Sequence, residues 1–223
     1  ERTKRKYSKL LNDEDAASLA QLTDVIVRQT DDLRRIVDEF SKFARMPEPQ
    51  RKPESLTQLL HEAVLLQEVG QPDVQITTDL DPSPLLADVD ATMISQALTN
   101  LIKNAGEATE SLIENGNAPE GFQPMILVSS RIVDGRVEMS ISDNGIGLPE
   151  DRSRLFEPYV TTRDKGTGLG LPIVKKIIEE HGGTLSLVDA APFDEDAHRG
   201  AMAVIRLDLA PTDRNVADTA GAV

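Results

Sequence analysis

Three prolines fall within the nine residues MPEPQRKPE (46–54), and they separate two stretches of different periodicity. Proline lacks an N–H and clashes with the preceding helical turn, so no helix runs through this segment. It reads as a linker, residues 47–54, between a helical part (1–46) and a mixed part (55–210). On the N-terminal side, residues 13–46 read as one helix. Leu19, Leu22, Ile26, Leu33, Ile36, Phe40 and Phe43 alternate three- and four-residue steps, and only Gln29 breaks the stripe. Such a heptad seam buries itself against a partner helix; an ordinary amphipathic core helix is the alternative. The tetrapeptide NDED (12–15) supplies the turn and N-cap, and the basic stretch ahead of Asn12 reads as the end of a preceding antiparallel helix. The chain opens in mid-pattern, without an initiator methionine, and is expected to be a piece of a longer protein.

Beyond the linker the pattern changes. Residues 55–67 and 90–115 are amphipathic at helical spacing, and VQITTDL (74–80) alternates as a strand. MILVSSRIV and RVEMSISD are strands joined by Asp134-Gly135, a hairpin signal. A glycine-rich stretch (144–170) leads into a helix at 171–181, closed by Gly182-Gly183. TLSLVD and AMAVIRLDL are the last strands, and residues 211–223 read as a disordered tail. Helices and strands mix without βαβ alternation. This predicts an α+β fold, a two-layer sandwich with helices on one face of a mostly antiparallel sheet.

A net charge of −14 excludes the basic footprint of a nucleic-acid binder. An anionic ligand must then be met locally, by a metal ion or a few basic side chains. The chain has no cysteine, hence no disulfide and no thiolate site. No apolar run approaches the roughly 20 residues of a membrane span. Any membrane attachment is expected through regions N-terminal to this chain.

Four short stretches carry chemistry. Asn100 and Asn104 lie one helical turn apart on a face otherwise lined by Ala97, Leu101 and Ala108. They are either satisfied structural amides or ligands; an amide oxygen suits Mg²⁺, a hard ion that prefers oxygen. In SDNGIGLPE (142–150) Asp143 ends a strand, and Gly145 and Gly147 make the turn. A carboxylate there can accept a hydrogen bond from an exocyclic amine such as adenine N6, although Asp-Asn-Gly is also ordinary turn chemistry. RLFEPYVTTRDKGTGLGL (154–171) sets an aromatic-proline anchor before Thr162, Arg163, Lys165, Gly166, Thr167, Gly168, Leu169 and Gly170. Hydroxyls, cations and bare backbone precede a helix N-terminus, which suits phosphate. The spacing is neither the dinucleotide G-x-G-x-x-G nor a P-loop.

The order of these motifs resembles the ATP-binding domain of two-component sensor histidine kinases, with NLIKNAGEA, DNGIGLPE, RLFEPYVTTR and KGTGLGL as the N, G1, F and G2 boxes. The resemblance covers about residues 55–209. The 13–46 helix is similar to the second helix of the kinase dimerisation hairpin, and ERTKRKYSKLL is similar to the segment after the phosphoacceptor helix in nitrogen-regulation members. The resemblance implies the Bergerat fold with a mixed sheet. It implies ATP and Mg²⁺ as cofactors, with Asn104 on the metal and Asn100 in a supporting role on the phosphate side. It gives Asp143 the adenine amine and Gly145 and Gly147 the base-side turn. Lys103, Thr162, Arg163, Lys165, Gly166, Thr167, Gly168, Leu169 and Gly170 fall on the phosphate side and lid. It implies a response-regulator receiver domain as partner, homodimerisation through residues 13–46, and a cytoplasmic location within an inner-membrane bacterial sensor.

In gyrase and the MutL proteins, which share this fold, a glutamate four residues before the metal asparagine activates water; here that position is Asn100, which favours a kinase over a hydrolase. An ATPase of the same fold and a non-catalytic ATP-switched module are the alternatives. Of the three histidines, His61, His181 and His198, none sits in a phosphoacceptor context. That histidine is expected to precede Glu1. The hydroxyl residue that the family often has after the glycine of the last strand is absent from GAMAVIRL.

Overall fold

The computed structural model describes residues 12–44, 46–161, 167–193 and 199–210. The tail at 211–223, the basic stretch ahead of Asn12, and His198 lie outside them. The chain divides into two compact units between Pro47 and Glu48.

The first unit is one helix, α1 (Asp13–Ala44). Asn12 starts it: its Oδ1 accepts the Asp15 N–H at 2.8 Å, filling one of the orphan donors of the first turn. Along the seam Leu22, Ile26, Leu33 and Phe40 are exposed, and Leu19 and Ile36 are half-buried; the Phe43 side chain lies outside the described part.

The second unit holds the sheet. Its elements are β1 (Lys52–Ser55), α2 (Leu56–Gly70), β2 (Gln75–Leu80), β3 (Leu86–Val89), α3 (Ala91–Glu114), β4 (Met125–Val133), β5 (Arg136–Asp143), α4 (Gly170–Glu180), β6 (Thr184–Asp189) and β7 (Ala201–Asp208). Five strands run in the order β2-β4-β5-β7-β6. β2 pairs with β4 in parallel, and every other pair is antiparallel. Helices α2, α3 and α4 pack on one another and cover one face, so the sandwich is the one the pattern predicts. Alternation sends Val137, Met139 and Ile141 of β5 inward beside Ile126, Val128, Ala203, Ile205 and Leu207, all buried. Leu98, Leu101, Ile102, Ile173, Val174 and Ile177 meet them from α3 and α4.

Local chemistry sets the boundaries. Asp90 caps α3 by accepting the N–H groups of Thr92 and Met93. Asp134 and Gly135 both have φ > 0 (52° and 75°), the two-residue type I′ turn that a hairpin of right-twisted strands requires. The linker is shorter than expected. Its last residues, Lys52–Glu54, belong to β1, which pairs antiparallel with β3 in a separate two-stranded sheet. Neither KPES nor LADV has a long apolar alternation, so the pairing is made by backbone bonds between segments distant in sequence.

On the uncovered face of the sheet, Glu138 is buried between two arginines. Arg131 donates through Nε and Nη2 to Oε1 (3.0 and 2.6 Å), and Arg206 donates to Oε2 (2.9 and 2.8 Å). The Arg131 hydrogen bonds, opposed by desolvation and aided by Arg206, hold the Glu138 carboxyl below its ordinary value. A depressed folded-state pKa contributes stability above the unfolded glutamate value, and that stability is lost as pH falls through the lower folded value. Glu138→Gln is therefore expected to lower stability by about 1–3 kcal/mol at pH 7. The gap to wild type should narrow below the ordinary glutamate range; urea denaturation from pH 7 to pH 3 checks this, and a gap that does not change with pH would remove the ionic explanation.

Candidate functional site

Helix α3 is the ruler of the site. Asn100, Asn104 and Ala108 are spaced four residues apart, about 6 Å along one stripe. The two asparagines are half-buried, and the apolar residues of their face, Ala97, Leu101 and Ala108, are buried. Lys103 points away to solvent and pairs with Glu107 along the helix at 3.6 Å.

Two glycine turns land on this stripe. The first belongs to the segment after β5. A Cβ on Gly145 would lie 2.4 Å from the Ala108 carbonyl carbon and 2.7 Å from the Thr109 nitrogen. Only a bare backbone approaches α3 so closely, and the Ile146 N–H then donates to Ala108 O at 3.2 Å. The second turn precedes α4. Gly170 starts that helix, and a Cβ there would lie 3.6 and 3.8 Å from the two amide atoms of Asn104. The N-cap position, Leu169, is fully buried and supplies no side-chain cap. The first turn of α4, with the positive end of its dipole, therefore lies beside Asn104. Thr167 Oγ1 accepts the Leu169 N–H at 3.4 Å.

Asp143 is the last inward-facing position of β5, following Val137, Met139 and Ile141 on the same face. Its carboxylate therefore sits buried at the rim between sheet and helices. Oδ1 accepts the Gly145 N–H at 2.8 Å and the Ala201 N–H at 3.2 Å. Gly147 has φ +76°, and its would-be Cβ meets Arg199 O at 3.1 Å. A Cβ on Gly168 (φ +67°) would lie 2.7 Å from the Tyr159 carbonyl carbon, and the Tyr159 N–H donates to Gly168 O at 3.1 Å. Tyr159 itself takes a left-handed conformation, φ 66°. Its neighbour Phe156 lies under the Lys175 ammonium of α4, at 5.0 Å. Thr162, Arg163, Lys165 and Gly166 lie outside the described residues.

Sequence reasoning missed three positions. Gly200 has no room for any side chain: a Cβ would stand 2.0 Å from Asp143 O and 2.6 Å from its Oδ1. Asn144, buried, accepts the Met125 N–H at 2.9 Å and donates to Gln123 O at 2.8 Å, tying the turn to the start of β4. His181, also buried, has both ring nitrogens engaged. Asn144 stands inside a motif that reads as plain turn chemistry, and nothing local marks Gly200. His61 is exposed on α2. A cleft of about 310 Å³ lined by Pro72, Asp73, Val74, Gln75, Phe122, Gln123 and Pro124 includes none of the motif residues.

Residues 89–211, from the end of β3 onward, match the family model described as histidine kinase-, DNA gyrase B- and HSP90-like ATPase. The chain belongs to this ATPase family. It is 45% identical over 210 residues to the nitrogen regulation protein NtrY of Azorhizobium caulinodans, covering 94% of this chain and 26% of that protein. It is 35% identical over 180 residues to the sensory histidine kinase/phosphatase NtrB of Rhodobacter capsulatus, covering 77% of this chain and 49% of that one. The chain thus spans between about a quarter and a half of these relatives' length. Among solved structures, full-length ShkA in complex with AMPPNP is 25% identical with a TM-score of 0.65, over 86% of this chain and 39% of ShkA. The unit after the linker is an ATP-binding domain of the sensor-kinase type.

The close approach at Gly200 yields a direct expectation. Gly200→Ala should cost about 1–3 kcal/mol, because the methyl must displace the Asp143 backbone. Gly70→Ala, with nothing within 4 Å of its Cβ, should be neutral or stabilising by up to about 1 kcal/mol. Thermal unfolding of the two variants separates them, and equal melting points would contradict crowding at Gly200 as the cause.

Proposed function

We propose that this chain is the ATP-binding catalytic portion of a two-component sensor histidine kinase. In this reading it binds Mg-ATP and directs the γ-phosphoryl group to a histidine of the parent protein, from which a response-regulator receiver domain takes it onto an aspartate. The observation that carries the reading is the convergence of the Gly145 and Gly170 turns on one stripe of α3, at Ala108 and Asn104. That arrangement spaces an amine-accepting carboxylate, Asp143, from an uncapped helix N-terminus along a common wall, which suits a nucleotide with its base at one end and its phosphates at the other.

The donor set fits Mg²⁺. Among the described residues no group of three or more His, Cys, Asp or Glu could hold a metal ion. The Asn104 amide oxygen beside the α4 N-terminus instead suits an ion that keeps phosphate oxygens and waters in its shell. When bound, Mg²⁺ would neutralise phosphate charge. The chain's own part is to accept the adenine amine at Asp143, to cradle phosphate with the α4 N–H groups, and to withhold a base at Asn100 so that water is not activated. Transfer breaks the bond from the γ-phosphorus to the bridging oxygen of ADP and forms a bond to imidazole nitrogen. Arg163, Lys165, Thr162 and Gly166 contribute from the lid. Dimerisation through the exposed seam of α1 completes the proposal, with residues 1–46 as the partial hairpin, 55–210 as the catalytic domain, and a cytoplasmic location in a membrane-bound parent. No described helix is long and apolar enough to cross a membrane, so that attachment would come from other parts of the parent.

Two substitutions test the site. Asn104→Ala should weaken Mg-ATP binding by about 1–3 kcal/mol and flatten its dependence on Mg²⁺; calorimetry with and without the metal reads both effects, and unchanged affinity rejects the metal role. Asp143→Asn turns half of the acceptor capacity into a donor facing an amine. ATP affinity should fall while GTP affinity holds or rises, and equal losses for the two nucleotides would reassign Asp143 to folding alone.

A further inference from the structure

The corner opposite the glycine turns is where the start of α3 and the end of α4 meet, and the linker is pinned there. Asp90, the α3 N-cap, accepts the Gln50 N–H through Oδ2 at 3.0 Å while its Oδ1 serves Thr92 and Met93. The Arg51 guanidinium donates to Glu180 O, the last carbonyl of α4. Between the two helix ends lies the buried imidazole of His181. Its Nε2 faces the Asp90 N–H at 3.0 Å, and its Nδ1 faces Ile177 O at 2.7 Å. A carbonyl only accepts and a backbone N–H only donates, so the ring is the neutral form with its proton on Nδ1. Partial burial opposes the Asp90 charge, but the N–H groups of Gln50, Met93 and Thr92 outweigh it and hold the carboxyl below its ordinary value.

These bonds form one chain: linker to Asp90, Asp90 to His181, His181 back into α4, and α4 to the linker through Arg51. The helices gripped here are those whose other parts define the candidate site. Asn104 lies about 20 Å along α3 from Asp90, and Gly170 about 15 Å along α4 from Glu180. The rods touch again at the far end, where Gly170 meets Asn104. An angular change at the corner is therefore delivered to that contact.

We propose that His181 is a positioning residue that couples the linker, through Asp90 and Arg51, to the spacing of α3 and α4 at the nucleotide site. The linker is the covalent path from α1 to the catalytic unit, so the joint makes nucleotide affinity answer to how the linker is held. This rests on the nucleotide reading of the site.

The test uses the whole chain and two readouts. Amide exchange at Asp90, measured without nucleotide, reports the joint itself; AMPPNP affinity in Mg²⁺ reports the site. His181→Gln keeps an acceptor that reaches the Asp90 N–H, whereas His181→Leu fills the space with none. The Leu variant should speed Asp90 exchange at least tenfold and weaken AMPPNP several-fold, and the Gln variant should restore most of both. Arg51→Ala should weaken AMPPNP about threefold in the wild-type background and add nothing to His181→Leu, since both cut one network. A Gln variant as weak as Leu, additive losses, or wild-type affinity in His181→Leu would overturn the proposal. Should the unaltered chain not bind AMPPNP, the nucleotide reading falls and the coupling to the site falls with it, while Asp90 exchange still shows whether the joint exists.

Discussion

The structure of the second unit hangs on a contact between two backbones. Gly145 touches α3 at Ala108 and Thr109 so closely that no side chain fits between them, and the Ile146 N–H closes the approach on Ala108 O. This contact fixes where the chain leaves β5. It therefore also fixes where Asp143 stands, where the Asn144 amide reaches the start of β4, and how near Gly200 must pass before β7 begins. Dispersion and hydrophobic burial hold the layers together, but they are tolerant of small slides. A hard contact between main chains is not, and it sets the register of helix against sheet at the rim beside Asp143.

Much of this was legible because the signals are local. Asp90 ahead of an amphipathic run, Asp134-Gly135 between alternating segments, and Gly182 after Glu180 each satisfy a nearby backbone need, so the helix and hairpin limits lie close to their expected places. Asn100 and Asn104 read as sharing a face because helical periodicity requires it. What escaped the sequence depends on distant partners. β1 pairs with β3 across more than thirty positions with little apolar alternation in either. The need for glycine at position 200 is created by Asp143, 57 positions earlier. His181 reads as an ordinary residue at a helix end until Asp90 is brought beside it. Arg163 and Lys165, like the Phe43 side chain, lie outside the described part and are readable only as sequence.

Charge is distributed with the same close pairing of partners. The chain carries a net charge of −14, yet the buried carboxylates of the second unit are each met by donors: Glu138 by two guanidinium groups and Asp143 by two backbone N–H groups. The ionic cluster sits on the uncovered face of the sheet and the amide-held carboxylate on the covered face. One strand, β5, supplies both, because successive side chains alternate across the sheet. The ion-paired carboxylate and the amide-held one thus belong to one strand, Glu138 pointing one way and Asp143 the other.

Under the nucleotide reading proposed above, the wall beside Asp143 has a bearing on chemical inhibition. Gly145 and Gly200 both border Asp143, and each lacks room for even a methyl group. A small molecule shaped to press on those two positions would meet a surface that a resistant strain has little freedom to remodel. Any side chain introduced there collides with the protein before it reaches the compound. Escape would have to arise from residues that line the space with side chains, and a compound that avoids leaning on those narrows the routes to resistance.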